Sequence, residues 1–178
     1  MTYDEKEIVL EDSTNIPSDV YTLRITDCKV GNSKKGNLMV ITSAEIVAPD
    51  TITVRTGDKE QIVPIAGRRV DTWYNILDPT VPHGLGRLIT GLKRAGLYDV
   101  ILNSEKKVDT DNISLLVGKM LKAHVTCSPK YLEKEDENGL TVPVLDDGGN
   151  PIRIGQRLTT DWGRVVGSCS ELASAYPY

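Results

Sequence analysis

The sequence predicts a mainly β protein, and three observations carry that prediction. Runs of alternating polarity recur along the chain. Turns rich in Gly, Asn and Asp separate them. One stretch has the 3.6-residue period of an amphipathic helix. The chain has 178 residues, 39% hydrophobic and 26% charged, which suits one domain with a buried core and short elaborations.

The acidic run 1–18, ending in Ile16-Pro17-Ser18, reads as an N-terminal arm. In DVYTLRITDCKV, residues 19–30, Tyr21, Leu23 and Ile25 share one face; Thr22, Arg24, Thr26 and Cys28 share the other. GNSKKGN is a turn and LMVITSAEIV a second, β-branched strand, so the two form a hairpin with Lys34 and Lys35 at its tip. TITVRTGDKEQIVPI is a smaller hairpin with Gly57-Asp58 at the bend. RRVDTWYNIL, residues 68–77, is a third main strand, with Val70, Thr72, Tyr74 and Ile76 on one face and Arg69, Asp71, Trp73 and Asn75 on the other.

In GLGRLITGLKRAGL the residues Leu85, Leu88, Ile89 and Leu92 fall at helical spacing, with Gly96 as C-cap and Lys93 and Arg94 at the negative end of the helix. Asp109–Leu116 predicts a second short helix with Asp111 as N-cap. KMLKAHVTCSPKYL is a fourth main strand, with Leu121, Ala123, Val125 and Cys127 on one face. EKEDENG is a charged turn, short strand pieces flank DDGGN, and GRVVGSCS is a last strand before a flexible tail, 169–178. Three strands, a helix and two strands is the order of the five-stranded OB-fold barrel, here spanning 19–168 with extra hairpins and its helix between strands three and four.

Charge is uneven. Residues 1–20 carry −5, residues 21–131 carry +5 and residues 132–178 carry −4, for a net −4. A mildly basic body between acidic ends speaks to partners, not to fold. The three cysteines are widely spaced without a CxxC, which argues against a zinc site or disulfide framework and for a reducing, cytoplasmic setting. No apolar run is long enough to cross a membrane.

Enzyme signals are poor. His83 and His124 lack metal-ligand or nucleophile partners, and no GxSxG or Walker pattern occurs. The acids of EKEDEN and LDDGGN sit where Asp is ordinary turn chemistry. No catalytic residue, metal or cofactor is therefore expected.

Binding signals are more coherent. Single strands are held by a basic groove and by aromatics on which bases stack. Arg24, Lys29, Arg68, Arg69, Lys122, Lys130 and Arg153 fall on candidate outer faces, interleaved with Trp73 and Tyr131. Trp73 and Tyr74 are adjacent and point to opposite faces. Tyr74 shares parity with Val70 and Ile76, so it is assigned to the core and Trp73 to stacking. By charge alone, Lys34 and Lys35 read equally as a solvated tip or as rim contacts.

The run VYTLRITDCKVGNSKKGNLMVITSAEIV resembles the start of phage-encoded proteins of replication and recombination modules. In these a G-x-Y-x-x-x-I strand leads through a K-x-G-x-x-M turn to a second strand. Tyr21, Ile25, Lys34, Gly36 and Met39 fill those places. GLGRLITGLKRAGL and LVGKMLKAHVTCSPKY are similar too, so the resemblance covers roughly 17–132, and also 150–168. It implies a single-stranded DNA-binding protein with an OB fold. Lys34, Lys35, Arg68, Arg69, Lys122 and Lys130, with Arg24 and Arg153, would contact phosphates, and Trp73 and Tyr131 would stack. Phage or host replication proteins would be further partners. Departures are Asp19-Val20 where the usual Gly precedes the first Tyr, an insertion at TITVRTGDKEQIVPIAG, and an AYPY terminus instead of an acidic, aromatic-tipped tail. The acidic arm could take the tail's part, and could compete with DNA for the groove. A non-enzymatic phage structural or adaptor protein is the alternative.

Overall fold

A computed structural model describes residues 15–81 and 83–169. Residues 170–178 of the expected tail and the first fourteen residues of the expected arm lie outside them.

Ten strands form among the described residues: β1 (Asp19–Asn32), β2 (Leu38–Ala48), β3 (Thr51–Thr56), β4 (Lys59–Pro64), β5 (Arg69–Ile76), β6 (Met120–Tyr131), β7 (Glu133–Glu135), β8 (Thr141–Pro143), β9 (Arg153–Thr159) and β10 (Val165–Ser168). Helix α1 (Leu85–Ala95) lies between β5 and β6 in the chain, followed by 3-10 turns at Tyr98–Ile101 and Thr110–Leu116; a third precedes β10. β3–β4 and β7–β8 are separate two-stranded ribbons.

The remaining strands curl into a nearly closed antiparallel barrel. β5 pairs β2, β2 pairs β1 and β1 pairs β6. β6 serves two partners on its other side: Leu121–Ala123 meets β10, and Thr126–Tyr131 meets β9. Across the remaining seam, Arg157 of β9 donates to Asp71 of β5 at 2.9 Å. The circuit β1–β2–β5–β9–β6 is the cyclic strand order of an OB-like barrel.

Side-chain alternation explains the filling. Leu23, Ile25, Val40, Ile46, Leu121, Ala123 and Val125 point inward and are fully or almost fully buried. Each such Leu, Ile or Val contributes about 1.5–3 kcal/mol over its exposed state. Trp73 and Trp162 meet edge to face, 5.9 Å between centroids. α1 buries Leu88, Leu92 and Ala95, and Arg94 reaches back to the carbonyls of Gly163 and Val165. A Cβ on Gly91 would lie 2.3 Å from the Trp162 carbonyl oxygen. Only glycine permits that approach, which offsets its roughly 1 kcal/mol helix penalty.

Three expectations change. First, two β-bulges invert face assignments. β1 holds an extra residue between Ile25 and Asp27, so Cys28 turns inward and is buried. β5 holds one between Val70 and Trp73, so Trp73 turns inward and Tyr74 outward. Second, the arm boundary moves. Ile16 is buried, its N–H and C=O are held by the Gln156 side-chain amide at 3.0 and 2.8 Å, and the Tyr21 hydroxyl donates to Pro17 O. Residues 15–18 therefore pack on the barrel. Third, Asp109, not Asp111, caps the second helical turn, accepting the Asp111 N–H at 3.0 Å. At the start of α1, His83 Nδ1 meets Arg87, and Gly84 is the N-cap residue.

Candidate nucleic-acid interface

Pairing across β1, β2 and β5 assembles the outer face row by row. Arg24, Glu45 and Arg69 form one row. Asp27 and Ser43 form the next, with Thr72 bonded to Ser43 at 2.8 Å. Lys29, Ile41 and Tyr74 form the third, and Gly31, Met39 and Ile76 the fourth. Neighbours in a row stand about 5 Å apart, so the side chains make a continuous surface.

Tyr74 dominates that surface at 61% exposed, with Ile76 at 37% beside it. Ile41 and Met39 are half-buried between the flanking strands. The result is an exposed aromatic ring on an apolar floor. Ile41 lies four residues from the tip at Asn37 and four from Glu45, about 13 Å each way at strand rise. Cations lie at both ends: Lys34 and Lys35 in the turn just beyond Asn37, Arg24 and Arg69 in the row of Glu45.

The two ends differ in availability. Lys34 and Lys35 are exposed and make no ion pair among the described residues. Arg24 pairs with Glu45 at 3.4 Å, and Lys29 with Asp27 at 3.4 Å. These exposed pairs are worth little and exchange readily for a phosphate. The tip itself is a tight turn: Ser33 Oγ accepts the Asn37 N–H at 3.1 Å, and Gly36 takes φ +82°, where a side chain would be strained.

Past the seam the surface continues into an open cleft of about 370 Å³, lined by Asp71, Pro129, Lys130, Tyr131, Glu133, Gln156 and Arg157. Tyr131 is 40% exposed and pairs across β6–β9 with Arg153, which is half-buried. Lys130 and Tyr131 thus reach one cleft together, beside Arg157, which the sequence reading left out.

Three expected contacts lie elsewhere or are unsuited. Trp73, the expected stacking residue, is 7% exposed and faces Trp162 inside the barrel. Arg68 and Arg69 part company: Arg69 is exposed on the outer face, whereas Arg68 is half-buried, donating to Pro64 O at 3.2 Å beside Tyr21 and Cys127. Burial lowers the Arg68 pKa, raises the Cys127 thiol, and pushes Tyr21 up to about 12 with help from the Cys127 and Asp19 charges. Lys122 sits on the far side of β1, opposite Thr22, lining a separate hollow of about 320 Å³ with Val20, Tyr21, Ala48 and Pro49.

The acidic turns behave as turns. Asp136 Oδ1 accepts the Asn138 and Leu140 N–H groups, and Asp146 Oδ1 those of Gly148 and Asn150, all at 2.8–2.9 Å. Among the described residues no group of three or more His, Cys, Asp or Glu could hold a metal ion, and no helix is long and apolar enough to cross a membrane. The chain matches no protein-family model and no curated protein sequence.

Proposed function

We propose that this protein binds single-stranded nucleic acid without sequence preference, as a single-stranded DNA-binding protein of a phage replication or recombination module. The observation that carries the reading is Tyr74: an exposed ring on an apolar floor, on the outer face of the second and third barrel strands, with cations toward both ends of that face. In OB barrels that face and the loop between the first two strands hold oligonucleotides. Bases stack on Tyr74 and Tyr131. Lys34 and Lys35 take phosphates at one rim, Arg24 and Arg69 at the other, and Lys130 and Arg157 extend the track past the seam.

Both tryptophans are buried, so their fluorescence is a poor reporter of stacking. Anisotropy of a dye-labelled oligo(dT) at 50 and 200 mM salt is the direct test. Binding should weaken with salt, because bound phosphates release counterions. Tyr74→Ala should weaken it about 5- to 150-fold, the 1–3 kcal/mol of one stacked base. No binding at 50 mM salt would end the proposal. Unchanged affinity in Tyr74→Ala would remove this face from it.

A second reading has its own observation. Leu132, Leu140 and Leu145 are exposed around the acidic β7–β8 ribbon, a surface suited to protein rather than DNA. It favours a non-enzymatic phage structural or adaptor protein. Indifference to oligo(dT), with stable incorporation into a larger particle, would select it.

A further inference from the structure

The cleft beside Tyr131 has a second claimant within the same chain. Gln156, one of its lining residues, clamps the backbone of Ile16 through both amide atoms, and the Ile16 side chain is buried. The chain N-terminal to Asn15 therefore starts at the wall of the cleft. That segment, MTYDEKEIVLEDST, carries five carboxylates and one lysine. Its acids stand three to eleven residues before Asn15, a contour of about 10–40 Å. The whole cleft lies within that reach.

The lining is suited to such a segment. Among the described residues Lys130 has no ion pair, and Arg157 pairs with Asp71 alone, both side chains exposed. Arg153 lies opposite Tyr131 on the neighbouring strand. Glu133 and Asp71 are the opposing carboxylates, which leaves these five charges at +1. Pro129 and the Tyr131 ring give an apolar wall, and the segment carries Ile8, Val9 and Leu10 among its acids. Tethering raises the local concentration of the acidic segment to the millimolar range, so weak contacts suffice for occupancy.

We propose that the acidic segment 1–14 occupies the Lys130–Tyr131–Arg157 cleft of its own chain and is displaced by nucleic acid. The inference builds on the binding reading for its consequence, not for the docking itself. The test uses a full-length variant with Asp4→Asn, Glu5→Gln, Glu7→Gln, Glu11→Gln and Asp12→Asn together, with two readouts. Without DNA, backbone amide NMR signals of Lys130, Tyr131 and Arg157 should differ between variant and wild type, at all protein concentrations. With oligo(dT), the variant should bind about three- to tenfold tighter, as expected when a tethered competitor of millimolar effective concentration is weakened.

Unshifted signals at those three residues would overturn the proposal. So would an equal gain in affinity when Lys130→Ala and Arg157→Ala are also present, since that gain would come from net charge alone. Shifts that grow with protein concentration would assign the cleft to a second copy's segment and overturn docking in cis. Shifts without DNA binding by either protein would uphold the docking and sink the nucleic-acid reading instead.

Discussion

The turns at Ser33–Asn37 and Asp136–Leu140 have nearly the same backbone and opposite charge. In each, the first residue's side chain accepts the fifth residue's N–H, the fourth N–H returns to the first carbonyl, and a glycine with positive φ occupies the fourth place. Asp146–Asn150 repeats the pattern, and Asn103–Lys107 repeats it with Lys106 at φ +61° in the glycine's place. Backbone geometry is thus set by the first and fourth residues. The middle two are free, and they are Lys34-Lys35 at one turn and Glu137-Asn138 at the other. A turn signature and a charge are separate pieces of information. The first says where the chain bends, the second what the bend can meet.

Making the basic turn acidic should have the largest effect on that contrast. Lys34→Glu with Lys35→Glu should weaken oligo(dT) binding about 10- to 100-fold at 50 mM salt, and flatten the log–log salt slope by about 1.4 through two lost phosphate contacts. The melting temperature should hold, since neither lysine is buried or paired among the described residues. Anisotropy and thermal melts check both halves.

The anchors come next. Asp136 Oδ1 accepts two N–H bonds and Ser33 Oγ one. Removing either anchor should cost about 0.5–1.5 kcal/mol per bond, so Asp136→Ala should lose roughly twice what Ser33→Ala loses in urea unfolding. Equal losses would mean that the carboxylate adds nothing to the acidic turn. A twofold difference would make the basic tip the more adaptable of the two, which suits a rim that closes on a ligand. Smallest is Lys106→Gly. Relief of a left-handed non-glycine residue should stabilise by about 1 kcal/mol, a rise of roughly 2–4 °C for a chain of this size.

Trp73 and Tyr74 show where local reading stops. The strand, its length and its turn boundaries are legible in RRVDTWYNIL. Which aromatic faces out depends on one extra residue opposite β2, and pairing is a property of two strands. The sequence holds one hint, used in neither strand. Thr26-Asp27 and Asp71-Thr72 are paired polar residues interrupting an alternating run, and both mark bulges. Tyr74→Ala and Trp73→Ala test the inversion together. The first should leave stability nearly intact, while the second should cost about 3–5 kcal/mol by opening a cavity against Trp162.

By itself the sequence determined the strand-and-turn alphabet, the capping glycine of α1, the inward set Leu121, Ala123 and Val125, and the acidic–basic–acidic layout. All of these follow from properties of short segments: period, left-handed backbone preference and charge. Tertiary structure decided the rest. It buried Trp73 and exposed Tyr74, sent Arg68 and Arg69 to different surfaces, carried Lys122 away from Lys130, and tied Ile16 to Gln156. The physical reason is that a side chain's face is fixed by register with another strand, and a single bulge reverses every face beyond it.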